Sequence, residues 1–321
     1  MIRSQSIDRI FLILFTGLFL LGSCESPVDL DFVLEEPKIV VNSNFSPGAP
    51  FQVIISQSSY VLSSEPETFV NNALVTIYNM QEEKEERLQL KNARTPFYQS
   101  RQLLPESGQT YKIEVDIPGH PIITAEDVVP FPVVLSEIEV DTTLIPGHVE
   151  DQIYKLAVNV QFEDPPGNSD YYHLCLYNHT GSLPGGMVPM DGFTESETDV
   201  ATLVPLRHLE SHKDNPAVTF HFEEGGILFS DEDFNGQSAS LTFFSLLNVD
   251  SGDQLQKGKV VGELKTVSKS YYQYHSSLSR QLANKDKPFV EPITIYSNIE
   301  NGLGTFSGFA VFRDSASLST Q

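Results

Sequence analysis

Residues 110–117 read Thr-Tyr-Lys-Ile-Glu-Val-Asp-Ile, a stretch in which apolar and polar side chains alternate strictly. Alternation with a period of two puts every second side chain on the same face of an extended chain, so that one face is buried and the other is wet. Residues 73–78, 156–162 and 172–176 alternate in the same way. Because turn residues separate these short runs and no helical period is found before residue 200, the sequence predicts an all-β protein of sandwich-like sheets.

Two closely spaced prolines mark the predicted domain boundary, at Pro130-Phe131-Pro132. Proline disfavours both helix and central strand, so this segment is predicted to be an extended connector. The first domain is predicted to be an immunoglobulin- or transthyretin-like sandwich over residues 37–131. The second is a larger β-rich domain over residues 133–315. Each is expected to have its own core, so that residues 25–131 fold alone.

Within the second domain, two segments depart from the strand pattern. Residues 180–216 are rich in Gly, Pro, Ser, Asp and Glu, and a connection of this length is either a functional insertion or poorly ordered. Ser268 can cap a helix predicted over residues 268–284, whose apolar face is expected to pack on the second sheet. The residues on that face are Tyr271, Tyr274, His275, Leu278 and Leu282.

The N-terminal residues have the features of an export signal. Arg3 and Arg9 are followed by an apolar run over residues 10–21, and then by Leu21-Gly22-Ser23-Cys24. A basic start, a short apolar segment and small residues before a cleavage point predict a signal peptide over residues 1–23. A cysteine directly after the small residues resembles the bacterial lipobox. Cys24 is therefore predicted to receive diacylglycerol, with residues 24–36 as a polar tether.

Composition narrows the classes of partner. The chain has 20 Lys and Arg against 43 Asp and Glu, a formal net charge of −23. This argues against nucleic acid, which needs a basic surface, and against adsorption to anionic lipid, so membrane attachment is expected to come from the lipid on Cys24. Cys175 is then the remaining cysteine, so no disulfide within the chain is expected, and stability must come from a hydrophobic core.

Several further motifs together resemble a known family. Four motifs are spread along the chain: Asn72-Ala73-Leu74-Val75-Thr76-Ile77, Gly108-Gln109-Thr110-Tyr111, Ser270-Tyr271-Tyr272-Gln273-Tyr274 and, near the C-terminus, Asn298-Ile299-Glu300-Asn301-Gly302-Leu303-Gly304. With the lipobox, they resemble the Bacteroidetes lipoproteins known as domain of unknown function 4249 (DUF 4249). The resemblance implies an outer-membrane lipoprotein, often found beside TonB-dependent receptors. It implies no catalytic residues and no ligand, and it leaves the face of the membrane open.

One motif has the spacing of cation ligands. Asp231-Glu232-Asp233-Phe234-Asn235-Gly236 matches the first half of a calcium loop, in which alternate oxygen side chains and a glycine let the chain wrap a hard cation. Thr242 stands where an EF-hand needs a bidentate glutamate. Asp231, Asp233 and Asn235 are thus candidate Ca²⁺ ligands, and the alternative is an Asx turn between two strands.

The remaining candidates for chemistry are weaker. His208 and His212 have zinc-ligand spacing, but sequence places no third ligand with them. His173, Cys175 and His179 share one face of a predicted strand. They could form a metal site, or Cys175 could be a nucleophile with a histidine as its base. The alternative is that Cys175 is simply a buried, unreactive thiol. The glycines of residues 301–306 are expected to serve tight turns or a close backbone approach, because a phosphate loop would need a helix behind it.

The sequence therefore predicts a protein without catalytic residues. The first hypothesis is an outer-membrane lipoprotein that binds a ligand or docks on a TonB-dependent transporter through the segment 180–216 and the loop 231–237. A structural or adhesion module of the cell envelope is the alternative, and an exported hydrolase is the third hypothesis.

Overall fold

A computed structural model of the protein describes residues 36–59, 66–146, 151–167, 169–179, 204–205, 210–211, 219–223, 226–250, 259–284, 291 and 293–318. These residues form nineteen strands and one helix, α1 (Lys269–Asn284). The strands are β1 (Ile39–Phe45), β2 (Gln52–Gln57), β3 (Thr68–Phe69), β4 (Leu74–Asn79), β5 (Lys84–Arg87), β6 (Gln89–Lys91), β7 (Phe97–Gln99), β8 (Thr110–Asp116), β9 (Ile123–Val128), β10 (Leu135–Ile145), β11 (Asp151–Glu163), β12 (Tyr171–His179), β13 (Val204–Pro205), β14 (Glu210–Ser211), β15 (His221–Glu223), β16 (Gly226–Ser230), β17 (Ser238–Asp250), β18 (Lys259–Val267) and β19 (Leu303–Ser317).

The strands form three sheets, which confirms the predicted all-β, sandwich-like fold. A long sheet has the order β15-β16-β12-β18-β19-β1-β2-β7-β6, with β13 beside β12 and β3 beside β2. Two four-stranded sheets have the orders β5-β4-β8-β9 and β10-β11-β17-β14. The alternating stretch at residues 110–117 forms β8, in which Tyr111, Ile113 and Val115 are buried. Its apolar face points inwards because the alternation of side chains matches the pleat of the strand.

Each small sheet shares a hydrophobic cluster with one part of the long sheet. The first cluster joins residues of β4, β8 and β9 to residues of β1, β2 and β19, with Phe45, Phe51 and Tyr111 at its centre. The second joins β10, β11 and β17 to β12, β16 and β18 around Phe162, Tyr172 and Phe229. Residues Pro37–Gln321 nevertheless form a single compact unit.

The last strand connects the two clusters. β19 pairs in parallel with β1 through Val40–Phe45 and in antiparallel fashion with β18 through Lys259–Val267. Phe306 and Ala310 belong to the first cluster, while Phe312 and Ala316 pack on the second. The boundary at Pro130–Pro132 stays a prediction, but the expectation that residues 25–131 contain a complete core is revised, because β19 completes that core from the far end of the sequence.

Helix α1 begins and ends where its sequence predicts. Ser268 Oγ accepts a hydrogen bond from the Tyr271 N–H at 3.2 Å, which is the contact expected of an N-cap residue. The same hydroxyl donates to the carboxylate of Asp127 in β9, which also accepts the Gly308 N–H of β19 at 3.0 Å. Burial raises the pKa of Asp127 to about 6. The start of the helix is therefore tied both to β9 and to β19.

The buried face of α1 differs in part from the prediction. Tyr271 is buried as expected, but Leu282 is 56% exposed, and Ser276 and Ser277 are buried. The reason is that residues 293–296 run back alongside the helix and contact it. Ser277 Oγ accepts the Tyr296 N–H at 2.9 Å, so small polar side chains face this segment. Among the described residues, no helix has the length and hydrophobicity needed to cross a membrane.

Candidate functional site

The loop between β16 and β17 forms one wall of the candidate site. It makes two consecutive tight turns, in which the Phe234 N–H donates to Asp231 O at 2.8 Å and the Gln237 N–H donates to Phe234 O at 2.9 Å. Phe234 is 3% exposed and packs against the rings of both Phe162 and Tyr172. The loop is therefore anchored in the second hydrophobic cluster.

Three aspartates meet beside this loop. Asp231, Asp164 at the end of β11 and Asp170 before β12 each place a carboxylate oxygen within 4.8 Å of the others. Asp164 is held from two sides, because Tyr172 Oη donates to one of its oxygens and the Gly236 N–H donates to the other at 2.7 Å. Ca²⁺ binds oxygens at about 2.4 Å, so two of its ligands lie at most about 4.8 Å apart. The spacing of this aspartate cluster is thus compatible with a shared cation.

Burial and mutual repulsion make the ionised form of the cluster unfavourable. Burial, followed by the charges of Asp164 and Asp231, raises the pKa of Asp170 to about 6. Burial also raises the pKa of Asp231. A bound proton or a bound cation would relieve the same repulsion, so the two compete at this cluster.

The structure places the three predicted calcium ligands differently. Asp231 lies in the aspartate cluster and is 1% exposed, whereas Asp233 is exposed on the loop. The Asn235 amide is engaged elsewhere, since Nδ2 donates to Asp231 Oδ2 at 2.8 Å and Oδ1 accepts the Gly167 N–H at 3.2 Å. Calcium binding stays a prediction, with Asp164 and Asp170 in place of Asp233 and Asn235.

Sequence reasoning missed Asp164 and Asp170 because they lie in another loop. Residues 164–170 read Asp-Pro-Pro-Gly-Asn-Ser-Asp, a turn between two strands with an aspartate at each end. That spacing indicates two carboxylates at the two ends of one connection, here the one that joins β11 to β12. The pairing of β12 with β16 then brings Asp170 beside Asp231, which no local motif could indicate.

A thermal-shift experiment tests the cation prediction. We expect millimolar CaCl2 to raise the Tm relative to EDTA at pH 7. The rise should be smaller at pH 5, which lies below the raised pKa of Asp170, so that a proton competes with the cation there. Without a cation, the raised pKa of Asp170 favours the folded state most at low pH, and this contribution is lost as the pH rises from about 4 to 6. The raised pKa of Asp127 has the same sign, so the dependence on calcium is the diagnostic readout.

Matched variants separate the aspartate cluster from the sequence motif. Asp231→Asn should abolish the shift caused by calcium, whereas Asp233→Asn should retain it, because Asp233 lies outside the cluster. A Tm that is the same in CaCl2 and in EDTA at pH 7 would exclude calcium here.

A second polar cluster lies on the face of the long sheet that α1 covers. His173 Nε2 lies 3.4 Å from Cys175 Sγ, and His173 Nδ1 lies 2.9 Å from Tyr271 Oη. His275 stacks on Tyr271, with ring centroids 4.1 Å apart. A Cβ at Gly226 would lie 2.1 Å from His173 Nε2, so glycine is required where β16 passes this ring.

This Cys–His pair is closed to solvent. Cys175 and His173 are 4% and 7% exposed, and burial lowers the pKa of His173 well below its ordinary value, so the imidazole is neutral. Next to them, Glu263 is buried between Lys265 and Arg313. Burial opposes the charge of Glu263, but these two cations hold its pKa below the ordinary value. The arrangement favours a satisfied polar layer beneath α1 over a nucleophile and its base.

The remaining residues predicted from sequence lie partly outside the described residues and partly within them. Cys24, His208, His212 and nearly all of residues 180–216 lie outside the described residues, and His179 is the last residue of β12. The glycines of the closing motif serve a close backbone approach, as predicted. Gly304 has a φ of +107° and a Cβ there would lie 2.2 Å from Val41 O.

The fold and the site define an all-β protein of sandwiched sheets with a cluster of three aspartates at the ends of β11, β12 and β16. Residues 25–315 match the family described as domain of unknown function (DUF4249). The chain belongs to this family. No curated protein matches the sequence.

Proposed function

We propose that this chain is a lipid-anchored protein of the outer membrane that acts by binding, either taking up a ligand or docking on a TonB-dependent transporter, and that it catalyses no reaction. The sequence Leu21-Gly22-Ser23-Cys24 after a short apolar run supports the anchor. Membership of DUF4249 supports the assignment to the outer-membrane lipoproteins that this family resemblance implies.

The observation that carries the proposal is the rigid mounting of the loop from Asp231 to Gln237. Its backbone turns are hydrogen-bonded, Phe234 fastens it to the core, and Glu232 and Asp233 stand exposed at its tip. Loops that bind partners are typically displayed in this way, by a scaffold that fixes their geometry. A rigid loop loses little conformational entropy on binding, which favours affinity.

The buried Cys–His pair supports a role without catalysis. A nucleophile must reach its substrate, whereas Cys175 and His173 lie beneath Tyr271 of α1. A structural or adhesion role in the envelope is the alternative function, favoured by the extensive sheet surface. An exported hydrolase is the third.

The anchor has a direct test. The variant Cys24→Ser is expected to leave the fold intact and to move the protein from the membrane fraction to the soluble fraction, because the acidic chain has little affinity for anionic lipid. Membrane fractionation followed by a salt wash measures this. If the serine variant still sediments with the membranes after the wash, Cys24 is not the anchor.

The partner is tested by purification in gentle detergent. An outer-membrane β-barrel receptor is expected to co-purify with the anchored protein. Deletion of residues 183–200, which lie outside the described residues, is expected to weaken this association and to change the Tm little, because a polar segment contributes little to a core. Failure to recover any β-barrel from native membranes would favour the structural role.

A further inference from the structure

β10 differs from every other strand at the end of a sheet. The terminal strands β5, β6, β9, β14 and β15 have between two and six residues, and β9 is also bridged to Glu300. β10 has 11 residues and lies at the end of its sheet, paired with β11 alone among the described strands. Proteins usually keep edge strands short, because the outer edge of a strand can pair with another chain.

The edge is held rigidly by its inner face. Leu135 and Val140 are buried in the second hydrophobic cluster, and Ile138 packs against it. A Cβ at Gly262 in β18 would lie 2.7 Å from Ile138 Cδ1, so the long sheet approaches β10 closely. A strand fixed in this way is preorganised to accept a partner strand.

The outer face of β10 carries a column of three carboxylates. Glu137, Glu139 and Asp141 are all exposed and alternate with the buried positions. None of the three forms an ion pair with a described residue. On the adjacent strand the facing residues are Gln161, Asn159 and Ala157, which bring no compensating positive charge.

The three carboxylates determine which kind of strand can pair with the edge of β10. In a pair formed by two copies of β10, the carboxylates of one strand would face those of the other, and like charges directly opposite each other destabilise a sheet. A strand with Lys or Arg at every second position would place its charges against the three carboxylates while its backbone continues the ladder. Charge complementarity therefore points to a basic segment and away from a second copy.

We propose that β10 binds an extended basic segment of a partner protein, which adds to the sheet as a further strand beside Glu137, Glu139 and Asp141. This surface is separate from the loop Asp231–Gln237, so the inference goes beyond the proposed function. Backbone hydrogen bonds along the edge supply affinity, and cross-strand ion pairs fix the register. No loop of the candidate site takes part.

The test uses the full chain carrying Cys24→Ser and a synthetic peptide in which Lys alternates with Val. Fluorescence anisotropy is expected to show binding that weakens with salt, and hydrogen exchange is expected to show protection of the amides of β10. A peptide of the same charge with Pro replacing the Val residues cannot continue the ladder and should not bind. Equal binding of the two peptides would show that net charge alone attracts them, and would overturn the proposal.

Charge-reversal variants locate the binding surface. The triple variant Glu137→Lys, Glu139→Lys, Asp141→Lys should weaken binding by about tenfold, as three lost cross-strand pairs imply. The control variant Glu114→Lys, Asp116→Lys, Glu126→Lys changes the net charge equally on β8 and β9 and should have far less effect. Equal loss in both variants would overturn the proposal.

A neutral variant separates docking from simple protection of the edge. If Glu137→Gln, Glu139→Gln, Asp141→Gln self-associates in sedimentation while the unaltered protein never binds the peptide, the carboxylates only guard the edge and the proposal fails. The peptide assay needs no membrane partner. A failure here is therefore distinct from a failure to recover a β-barrel receptor, which would count against the proposed function itself.

Discussion

A fragment that ends at residue 131 is expected to remain unfolded. β1 normally lies between β2 and β19, and truncation removes its partner on one side. It also removes Phe306, which is fully buried with its ring centroid 4.5 Å from that of Phe45. Loss of one such phenylalanine costs about 3–5 kcal/mol, which is a large part of the 5–15 kcal/mol that stabilises a typical domain.

Circular dichroism and thermal melting of residues 37–131 measure this outcome, with the full chain as the reference. Adding a separately expressed fragment 133–318 is expected to restore a cooperative transition, because that fragment carries β19. A cooperative melt of residues 37–131 alone would show that the first sandwich is self-sufficient and that β19 only covers it.

The second large effect is expected from Gly304→Ala. The residue has a φ of +107°, and an added Cβ would lie 2.2 Å from Val41 O and 2.8 Å from Asn42 Oδ1. A clash with backbone cannot be relieved by rotating a side chain, so β19 must move away from β1. We expect a loss of about 3 kcal/mol or more in the free energy of unfolding, measured by urea denaturation.

Gly119→Ala is the matched control. Gly119 also has a positive φ, of +86°, but nothing lies within 4 Å of a Cβ placed there. It therefore reports the cost of the backbone conformation alone, about 1 kcal/mol. If the two variants lose equal stability, the close approach of β19 to β1 contributes nothing beyond that cost.

The features that the sequence determined are those with a local period. The alternation in residues 110–117 and 156–162 predicted β8 and much of β11, because a pleated strand exposes every second side chain to the same surroundings. The Ser268 cap and the apolar period predicted α1. The segments that form β17 and β18 were not predicted, although their pairing with β11 and β12 makes them central strands.

The candidate site was predictable only in part. Asp231 stood out because a calcium-like motif surrounds it, but Asp164 and Asp170 come from a separate segment, the connection between β11 and β12. Their meeting depends on which strands pair, and strand pairing joins residues far apart in sequence. The same applies to His173, whose partner Tyr271 lies 98 positions away.

The sequence by itself determined the fold class, the helix and the acidic charge, since each follows from composition or from neighbours along the chain. The lipid anchor stays a prediction of the same kind. The tertiary structure alone decided that β19 completes the first core, that three aspartates share one site and that β10 forms a long acidic edge. These depend on contacts between distant segments. The free energy of such contacts comes from burial and pairing that no single segment can provide.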